Sequence, residues 1–120
     1  MSDDGYVYQL YRIPGKVGEA TGAPKPTVLM MPGLECDMNF WTCNEAEKVP
    51  PFVLAEQGYD VWLGNNRGTR YAQYHTELSP DSEKYWQFSQ EELGLVDVPT
   101  FIDYILESTG QEKLTYIGHS

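Results

Sequence analysis

Hydrophobic residues recur along the chain in patterns that are typical of β-strands. Residues 5–13 alternate between two faces and are rich in aromatic and β-branched types, which predicts one strand with two different sides. Three other runs are short and mostly apolar, as expected of strands that a parallel sheet buries on both faces. These runs are residues 27–31, 59–64 and 114–117.

Two segments carry the signals of helices. Residues 50–57 have Pro51 in the first turn, where proline is tolerated, and Gly58 at the position where a helix ends. Residues 97–108 have apolar side chains at three- and four-residue spacing, and we expect Asp97 to cap the start of this helix. Both segments therefore predict helices that pack against the strands.

The remaining segments predict connections. Residues 14–26 are rich in Gly and Pro and predict a loop, and residues 70–92 predict a loop with short helical pieces. The order of elements is then strand, strand, helix, strand, helix, strand, which favours an α/β fold with a mostly parallel sheet and flanking helices. The length of 120 residues leaves room for one domain, residues 1–120.

The composition is that of a folded, acidic chain. It has 18 acidic and 8 basic residues, a net charge of −10, and 13% aromatic residues, whereas disordered chains have few aromatics. The acidic excess argues against binding to nucleic acid or to anionic membranes, because both attract Lys and Arg. No apolar run reaches the roughly 18 residues of a transmembrane helix. The first residues lack the basic and apolar regions of a signal peptide, so we expect none in this chain.

The last three residues are the first candidate for catalysis. Gly118-His119-Ser120 follows a predicted strand, and the G-x-S-x-G nucleophile elbow places its serine on the sharp turn after such a strand. The first glycine and the serine of that motif are present. Because G-x-S is a common tripeptide, an accidental match is the alternative interpretation.

A second candidate follows the apolar run at residues 27–31. In a fold with a nucleophile elbow, the oxyanion hole takes one backbone N–H from the loop after an earlier strand. Pro32-Gly33-Leu34 occupies that place in the order of elements, and we expect the N–H of Leu34 to be the donor. The alternative is that Pro32 and Gly33 only form a turn.

The pattern of the other reactive side chains indicates no catalytic role for them. His75 in a polar loop fits a surface or hydrogen-bonding role more than that of a general base, and His119 beside the serine fits packing or hydrogen bonding near the turn. Cys36 and Cys43 are seven residues apart, so a local disulfide and two free thiols both stay open. Two Cys and two His leave little for a metal cluster, and we expect neither metal nor cofactor. Three further acidic residues fit helix ends and solvated faces: Asp60, Asp97 and Asp103.

Six motifs in order along the chain resemble the acid lipases, the α/β-hydrolase group of gastric lipase, lysosomal acid lipase and fungal steryl ester hydrolases. The longest is GYDVWLGNNRG at residues 58–68, and the last is YIGHS at residues 116–120, similar to the family's Y-x-GHSQG. The other four are DGY and RIP over residues 4–14, H-x-x-LSP at 75–80, YWQFS at 85–89 and TGQ at 109–111. The resemblance implies the N-terminal part of an α/β-hydrolase fold that ends at the nucleophile elbow.

The same resemblance implies a reaction. Ser120 is the expected nucleophile and the Leu34 N–H the expected oxyanion donor in the hydrolysis of a lipid carboxylic ester, a triacylglycerol or a steryl ester, through an acyl-enzyme. The partner is then a lipid ester at an interface, and the compartment lysosomal or secreted. The family's acid and base follow the serine, so we expect the 120-residue chain to be a fragment without lipase activity of its own.

One departure from the family supports a different interpretation. Pro32 stands where the family has a His before the glycine, which removes a side chain and a donor beside the expected oxyanion position. Together with the end of the chain at Ser120, this leaves a non-catalytic, lipase-like structural or assembly subunit as the alternative. A third possibility is another hydrolase on the same fold, such as a thioesterase or a peptidase, because a fold does not fix a reaction.

Overall fold

A four-stranded sheet organises the chain in a computed structural model that describes residues 1–19 and 23–120. The sheet has the order β2-β4-β3-β6, in which β2 runs antiparallel to β4 and the other neighbours are parallel. A separate antiparallel pair consists of β1 and β5. The strands are β1 (Tyr6–Val7), β2 (Tyr11–Ile13), β3 (Thr27–Met31), β4 (Asp60–Leu63), β5 (Tyr74–His75) and β6 (Thr115–Gly118).

Helices connect the parallel strands. Between β3 and β4 lie α1 (Asn39–Thr42), a 3-10 turn (Ala46–Lys48) and α2 (Pro50–Glu56). Between β5 and β6 lie a second 3-10 turn (Glu83–Trp86), α3 (Gln90–Glu92) and α4 (Val98–Thr109), with a π-helical segment (Leu93–Asp97) joining the last two. The chain thus has the α/β architecture that the sequence predicts.

The central strands β3 and β4 are buried along their whole length, which confirms the two apolar runs as two-sided strands. One face of the sheet packs against α2 and the other against α4. The buried residues of the first face are Val28, Met30, Ala55, Val61 and Leu63. Those of the second face are Leu29, Met31, Trp62, Phe101 and Ile105.

The prediction of a single strand over residues 5–13 is wrong in one respect. The segment divides into β1, which pairs with β5, and β2, which pairs with β4. Because these two partners belong to different sheets, the chain crosses from one sheet to the other between β1 and β2. The predicted alternation of faces survives this break. Tyr8 and Leu10 pack on the α4 side of the main sheet, and Ile13 packs on the α2 side.

The predicted cap of the long helix is also wrong. Helical structure already begins at Gln90, where the Ser89 side chain accepts the Glu91 N–H and Glu92 completes a capping box. Asp97 has helical backbone angles and caps nothing. It is fully buried and faces Arg67, so neither Asp97 nor the buried Asp60 lies on the solvated surface that the sequence suggested.

The other predicted elements agree more closely. The helix expected at 50–57 is α2, and the strand expected at 114–117 is β6, although β6 is mostly exposed at the edge of the sheet. The predicted loop at 14–26 has no helix or strand in its described part, and residues 20–22 lie outside the described residues. The loop at 70–92 contains the expected short helical pieces and one strand, β5, that was not predicted.

Candidate functional site

The candidate residues lie at the carboxyl end of the sheet because β3 and β6 are adjacent and parallel. Met31 pairs with Gly118 in the last register position of these two strands. The His119 N–H donates to the Met31 carbonyl at 3.1 Å, which extends the pairing by one bond. The segments that follow β3 and β6 therefore emerge side by side, and the sequence-predicted residues Leu34 and Ser120 lie in these two segments.

Gly33 allows the two segments to approach each other closely. A Cβ atom at this position would lie 3.0 Å from His119 Nδ1 and 3.3 Å from Ser120 Cβ. Both distances are shorter than an ordinary van der Waals contact, so a larger residue would push the segments apart. Gly33 thus serves a close backbone approach, which is one of the uses of glycine in proteins.

Backbone strain is concentrated in the same two segments. Among the described residues, the non-glycine residues with positive φ are Glu35, at 62°, and Ser120, at 57°. Non-glycine residues rarely adopt this left-handed backbone conformation, and strain of this kind persists only where the surrounding structure enforces it. The positive φ of Ser120 comes directly after β6 and His119, and a nucleophile elbow requires a strained serine at this place after a strand.

The turn at residues 33–36, here called the Gly33 turn, is closed by a hydrogen bond from the Cys36 N–H to the Gly33 carbonyl at 3.0 Å. Glu35 takes the third position with positive φ, as in a type II turn. Within the described residues the Leu34 N–H donates to no backbone or side-chain acceptor, and the Leu34 side chain is 55% exposed. Pro32 is buried before the turn and leaves this N–H free.

His119 is held by packing, as the sequence suggested. Its ring stacks on the ring of Phe40, with centroids 4.3 Å apart and an interplanar angle of 27°. Phe40 belongs to α1, so this stack joins the turn after β6 to the helix that follows the Gly33 turn. The Ser120 segment is thus in contact with both ends of residues 33–40.

His75 lies elsewhere, in β5, and confirms the prediction of a hydrogen-bonding histidine. Its Nδ1 accepts the N–H groups of Glu77 at 2.9 Å and Leu78 at 3.0 Å. Because Nδ1 is an acceptor, Nε2 carries the proton and donates to the Asp4 carbonyl at 2.9 Å. Both ring nitrogens are occupied. The two cysteines, which the sequence left open, are free thiols.

Asn65 is a residue at this end of the sheet that the sequence reasoning did not select. It is separated from β4 only by Gly64 and is completely buried. Its Oδ1 accepts the Met38 N–H at 2.8 Å, and its Nδ2 donates to the Gln9 carbonyl at 3.1 Å. The only signal in the sequence is its place in the motif GYDVWLGNNRG, which by itself assigns no role to any one residue.

Arg67, in the loop after β4, is the centre of a cluster of charged side chains. The Arg67 side chain is 1% exposed and contacts Asp97 at 2.8 Å and Asp4 at 2.7 Å. Burial alone would lower the pKa of Arg67, but hydrogen bonds to Asp4 and Asp97 outweigh it and raise that pKa. Burial and the Asp97 carboxylate raise the pKa of Tyr8, whose hydroxyl donates to Asp97. The guanidinium also lies 4.0 Å above the Tyr6 ring.

An open groove of about 600 Å³ lies beside the Gly33 turn, and Leu34 and Asn66 form part of its wall. Its other walls include the apolar side chains Trp86, Phe88 and Leu93. A somewhat larger hollow of about 700 Å³ lies at the opposite end of the sheet, where Arg12, Lys25 and Asp60 line it. The groove at the carboxyl end is the one that adjoins the candidate site.

Neither a metal-binding cluster nor a membrane-spanning helix occurs in the described residues, 1–19 and 23–120. No group of three or more His, Cys, Asp or Glu side chains there has the arrangement of a metal site. None of the helices in those parts combines the length and the apolar character of a membrane span.

Comparison with known proteins identifies the group to which this arrangement belongs. The α/β hydrolase fold family matches residues 26–120. Human lipase member K is 46% identical over 118 residues, and bovine gastric triacylglycerol lipase is 47% identical over 118 residues. Human lysosomal acid lipase/cholesteryl ester hydrolase is 41% identical over 120 residues.

These matches cover 98–99% of this chain and 30% of each of the three relatives. The chain thus spans about a third of the length of the lipases it resembles. The family match alone covers most of the chain and includes β3, β4 and β6. The chain belongs to the α/β hydrolase fold family, and within that family to the acid lipases.

Proposed function

We propose that the native protein hydrolyses carboxylic esters of lipids, with Ser120 as the nucleophile and the Leu34 N–H as one oxyanion donor. The observation that carries this proposal is the close approach of the two turns: a Cβ atom added to Gly33 would lie only 3.3 Å from Ser120 Cβ, and Ser120 has a positive φ after β6. In this family of folds, a nucleophile elbow and an oxyanion loop meet in this way at the carboxyl edge of the sheet.

The reaction requires four events in order. Ser120 Oγ attacks the ester carbonyl while a base takes its proton, and the resulting oxyanion accepts the Leu34 N–H. The intermediate collapses to an acyl-enzyme and releases the alcohol, which takes the proton back. Water then repeats the attack and releases the fatty acid. No metal ion is needed for any of these steps.

Neither described histidine is placed to act as the base. His75 has both ring nitrogens hydrogen-bonded in β5, and the His119 ring packs on Phe40. In α/β hydrolases the acid and the base follow the serine along the chain. We place both after Ser120 in the native protein, because the relatives are about three times as long as this chain. Residues 1–120 are then the N-terminal part of the hydrolase domain and inactive by themselves.

The names of the relatives suggest the substrate and the compartment. One relative is a gastric triacylglycerol lipase and another a lysosomal acid lipase/cholesteryl ester hydrolase. We therefore propose a triacylglycerol or a steryl ester at a lipid interface as the substrate, and the lysosome or the extracellular space as the compartment. The apolar groove beside Leu34 is compatible with such a substrate.

The test uses the native protein at the length that its cells produce. We expect it to hydrolyse emulsified long-chain triacylglycerol or cholesteryl ester, and Ser120→Ala to reduce the rate by a factor of roughly 10⁴ or more. Ser108→Ala, at the exposed end of α4, is the control and retains the rate. A Ser120→Ala protein with the wild-type rate would exclude Ser120 as the nucleophile. Preference for short soluble esters or thioesters would exclude the lipid substrate.

One observation favours a second candidate, a lipase-like subunit without catalysis. Pro32 occupies the position before Gly33 and supplies neither an N–H nor a polar side chain there. The free Leu34 N–H nevertheless retains the backbone donor that the reaction requires. Absence of ester hydrolysis in the native protein, together with a stable complex with an active lipase, would favour this candidate instead.

A further inference from the structure

The buried amide of Asn65 has no part in the steps described so far. It lies at the carboxyl end of β4, is completely buried, and makes one hydrogen bond from each of its polar atoms. Both partners are backbone groups of other segments, Met38 and Gln9. Asn65 therefore joins three parts of the chain that meet only at this edge of the sheet.

The two bonds require an amide. Oδ1 accepts the Met38 N–H, and Nδ2 donates to the Gln9 carbonyl, so one end of the side chain must accept and the other must donate. Aspartate would place an oxygen against the Gln9 carbonyl and bury a charge. Leucine has the same number and branching of side-chain heavy atoms and would leave both backbone groups without a partner.

Met38 lies between the Gly33 turn and α1, so its hydrogen bond to Asn65 holds the backbone that links these two elements. Residues 33–40 are held at the start by the β3–β6 pairing and at the end by the stack of Phe40 on His119. The bond from Met38 to Asn65 attaches the backbone of this segment to the end of β4, while the Met38 side chain packs against the core that includes Val61 and Leu63. Glu35 keeps a positive φ between these attachments, and a strained residue relaxes when the contacts that enforce it are lost.

We propose that Asn65 is a positioning residue for the reaction: it anchors the segment after the Gly33 turn to β4 and thereby holds the Leu34 N–H beside Ser120. The catalytic part of this inference rests on the proposed function. Asn65 touches none of the reacting atoms. Its effect passes through the Met38 N–H to the backbone of residues 33–38.

The experiment compares Asn65→Leu and Asn65→Asp with Asp60→Asn in the native protein. Asp60 lies at the other end of β4, so its substitution perturbs the same strand without reaching the site. We measure kcat and KM for a soluble short-chain ester, the rate at which a fluorophosphonate labels Ser120, and amide hydrogen exchange of residues 33–42. Melting temperature is recorded for every variant.

We expect Asn65→Leu to lower kcat and the labelling rate by about tenfold to a hundredfold, because oxyanion stabilisation depends on donor placement within about 1 Å. KM should change by less than about twofold, exchange should rise in residues 33–42, and exchange in β3 should stay the same. Asn65→Asp keeps the acceptor for Met38 and should have a smaller effect. Asp60→Asn should lower the melting temperature and leave kcat unchanged.

Two results would overturn the proposal. One is unchanged exchange of residues 33–42 in both Asn65 variants, and the other is an equal loss of kcat in Asp60→Asn at equal loss of melting temperature. A wild-type protein that neither hydrolyses esters nor reacts with the fluorophosphonate would refute the proposed function and the catalytic part of this inference. Hydrogen exchange of residues 33–42 would then be the test of whether Asn65 anchors this segment.

Discussion

The two ends of the central sheet differ in how their polar groups are used. At the amino end, Arg12 forms two hydrogen bonds with Asp60, at 2.9 and 2.7 Å, and Lys25 pairs with Glu19 at 2.7 Å. At the carboxyl end, the Leu34 N–H has no acceptor among the described residues. The amino end thus carries ion pairs, beside a buried Thr27 hydroxyl without a partner among the described residues, whereas the carboxyl end keeps a backbone donor available.

Strain shows the same difference. The positive φ angles of Glu35 and Ser120 and the tight approach at Gly33 all belong to the carboxyl end. Features that cost stability persist where a function requires them or where neighbouring contacts enforce them. This difference supports the proposal that the carboxyl end of the sheet holds the site and the amino end serves as its scaffold. In α/β folds, ligands bind at the carboxyl ends of the strands.

The largest expected effect comes from the ion cluster that supports the carboxyl end. Asp97→Ala leaves the buried Arg67 without its one fully buried carboxylate partner, and we expect a loss of about 3–5 kcal/mol in the free energy of unfolding. Asp60→Ala at the amino end should cost about 1 kcal/mol or less, because the Arg12 side chain is 42% exposed and water can solvate it. Urea unfolding of both variants measures the difference. Equal losses would remove this distinction between the two ends.

The next effect concerns Gly33. Its φ is not positive, so alanine is tolerated by the backbone, but the added Cβ would meet His119 and Ser120. We expect Gly33→Ala to reduce labelling of Ser120 by a fluorophosphonate about a hundredfold. The matched control is Gly15→Ala at the amino end, where the added Cβ would meet the movable ends of Glu19 and Lys25. Labelling at the wild-type rate in Gly33→Ala would show that the close approach is not needed.

The same contrast explains how much could be predicted from the sequence. The apolar runs of β3 and β4 and the helix α2 follow from local pattern and proline or glycine signals, and these predictions are confirmed. The order of the elements then brings the segments of Leu34 and Ser120 together, because parallel neighbours end at the same edge. This part of the site needs little tertiary information.

The errors arise where tertiary contacts override local signals. Asp97 fits a helix cap by sequence, yet Arg67, thirty residues earlier, recruits its carboxylate into the core. Asn65 gives no local signal, because its partners Met38 and Gln9 are backbone groups distant in sequence. The break between β1 and β2 depends on β5, a two-residue strand too short to predict by pattern.

A smaller effect tests the strain in the Gly33 turn. Glu35→Gly relieves the positive φ, and we expect the free energy of unfolding to rise by about 0.5–1 kcal/mol. Glu45→Gly is the control, because Glu45 has an ordinary φ of −60° and gains nothing from the added freedom. Denaturant unfolding of both variants checks this prediction. A destabilised Glu35→Gly protein would show that the turn is not strained.

The smallest effect is a pH dependence. Burial opposes ionisation of Asp4, but hydrogen bonds from Arg67 and Ser2 outweigh it and lower the pKa of Asp4 below its ordinary 3.8. Because the folded state has the lower pKa, the stability from ionised Asp4 is complete above pH 3.8 and is lost as the pH falls below that value. Asp4→Asn should therefore flatten the fall in melting temperature below this pH.

The amino end supplies the control for this pH dependence. A hydrogen bond from Lys25 lowers the pKa of Glu19, so Glu19→Gln should also change how the melting temperature falls at acid pH. Since water reaches both groups of that pair, at 15% and 29% side-chain exposure, its effect should weaken in 1 M salt. The effect of Asp4 should persist in salt because Arg67 is buried. Equal salt sensitivity of the two variants would contradict the difference in burial.

The most direct test of the central claim is the site at which a fluorophosphonate attaches to the native protein. The account predicts a single adduct, mapped by peptide mass spectrometry to the Ser120 hydroxyl and absent from Ser120→Ala. An adduct on another serine, or a folded native protein that the reagent does not label, would contradict the assignment of the nucleophile to the carboxyl end of this sheet.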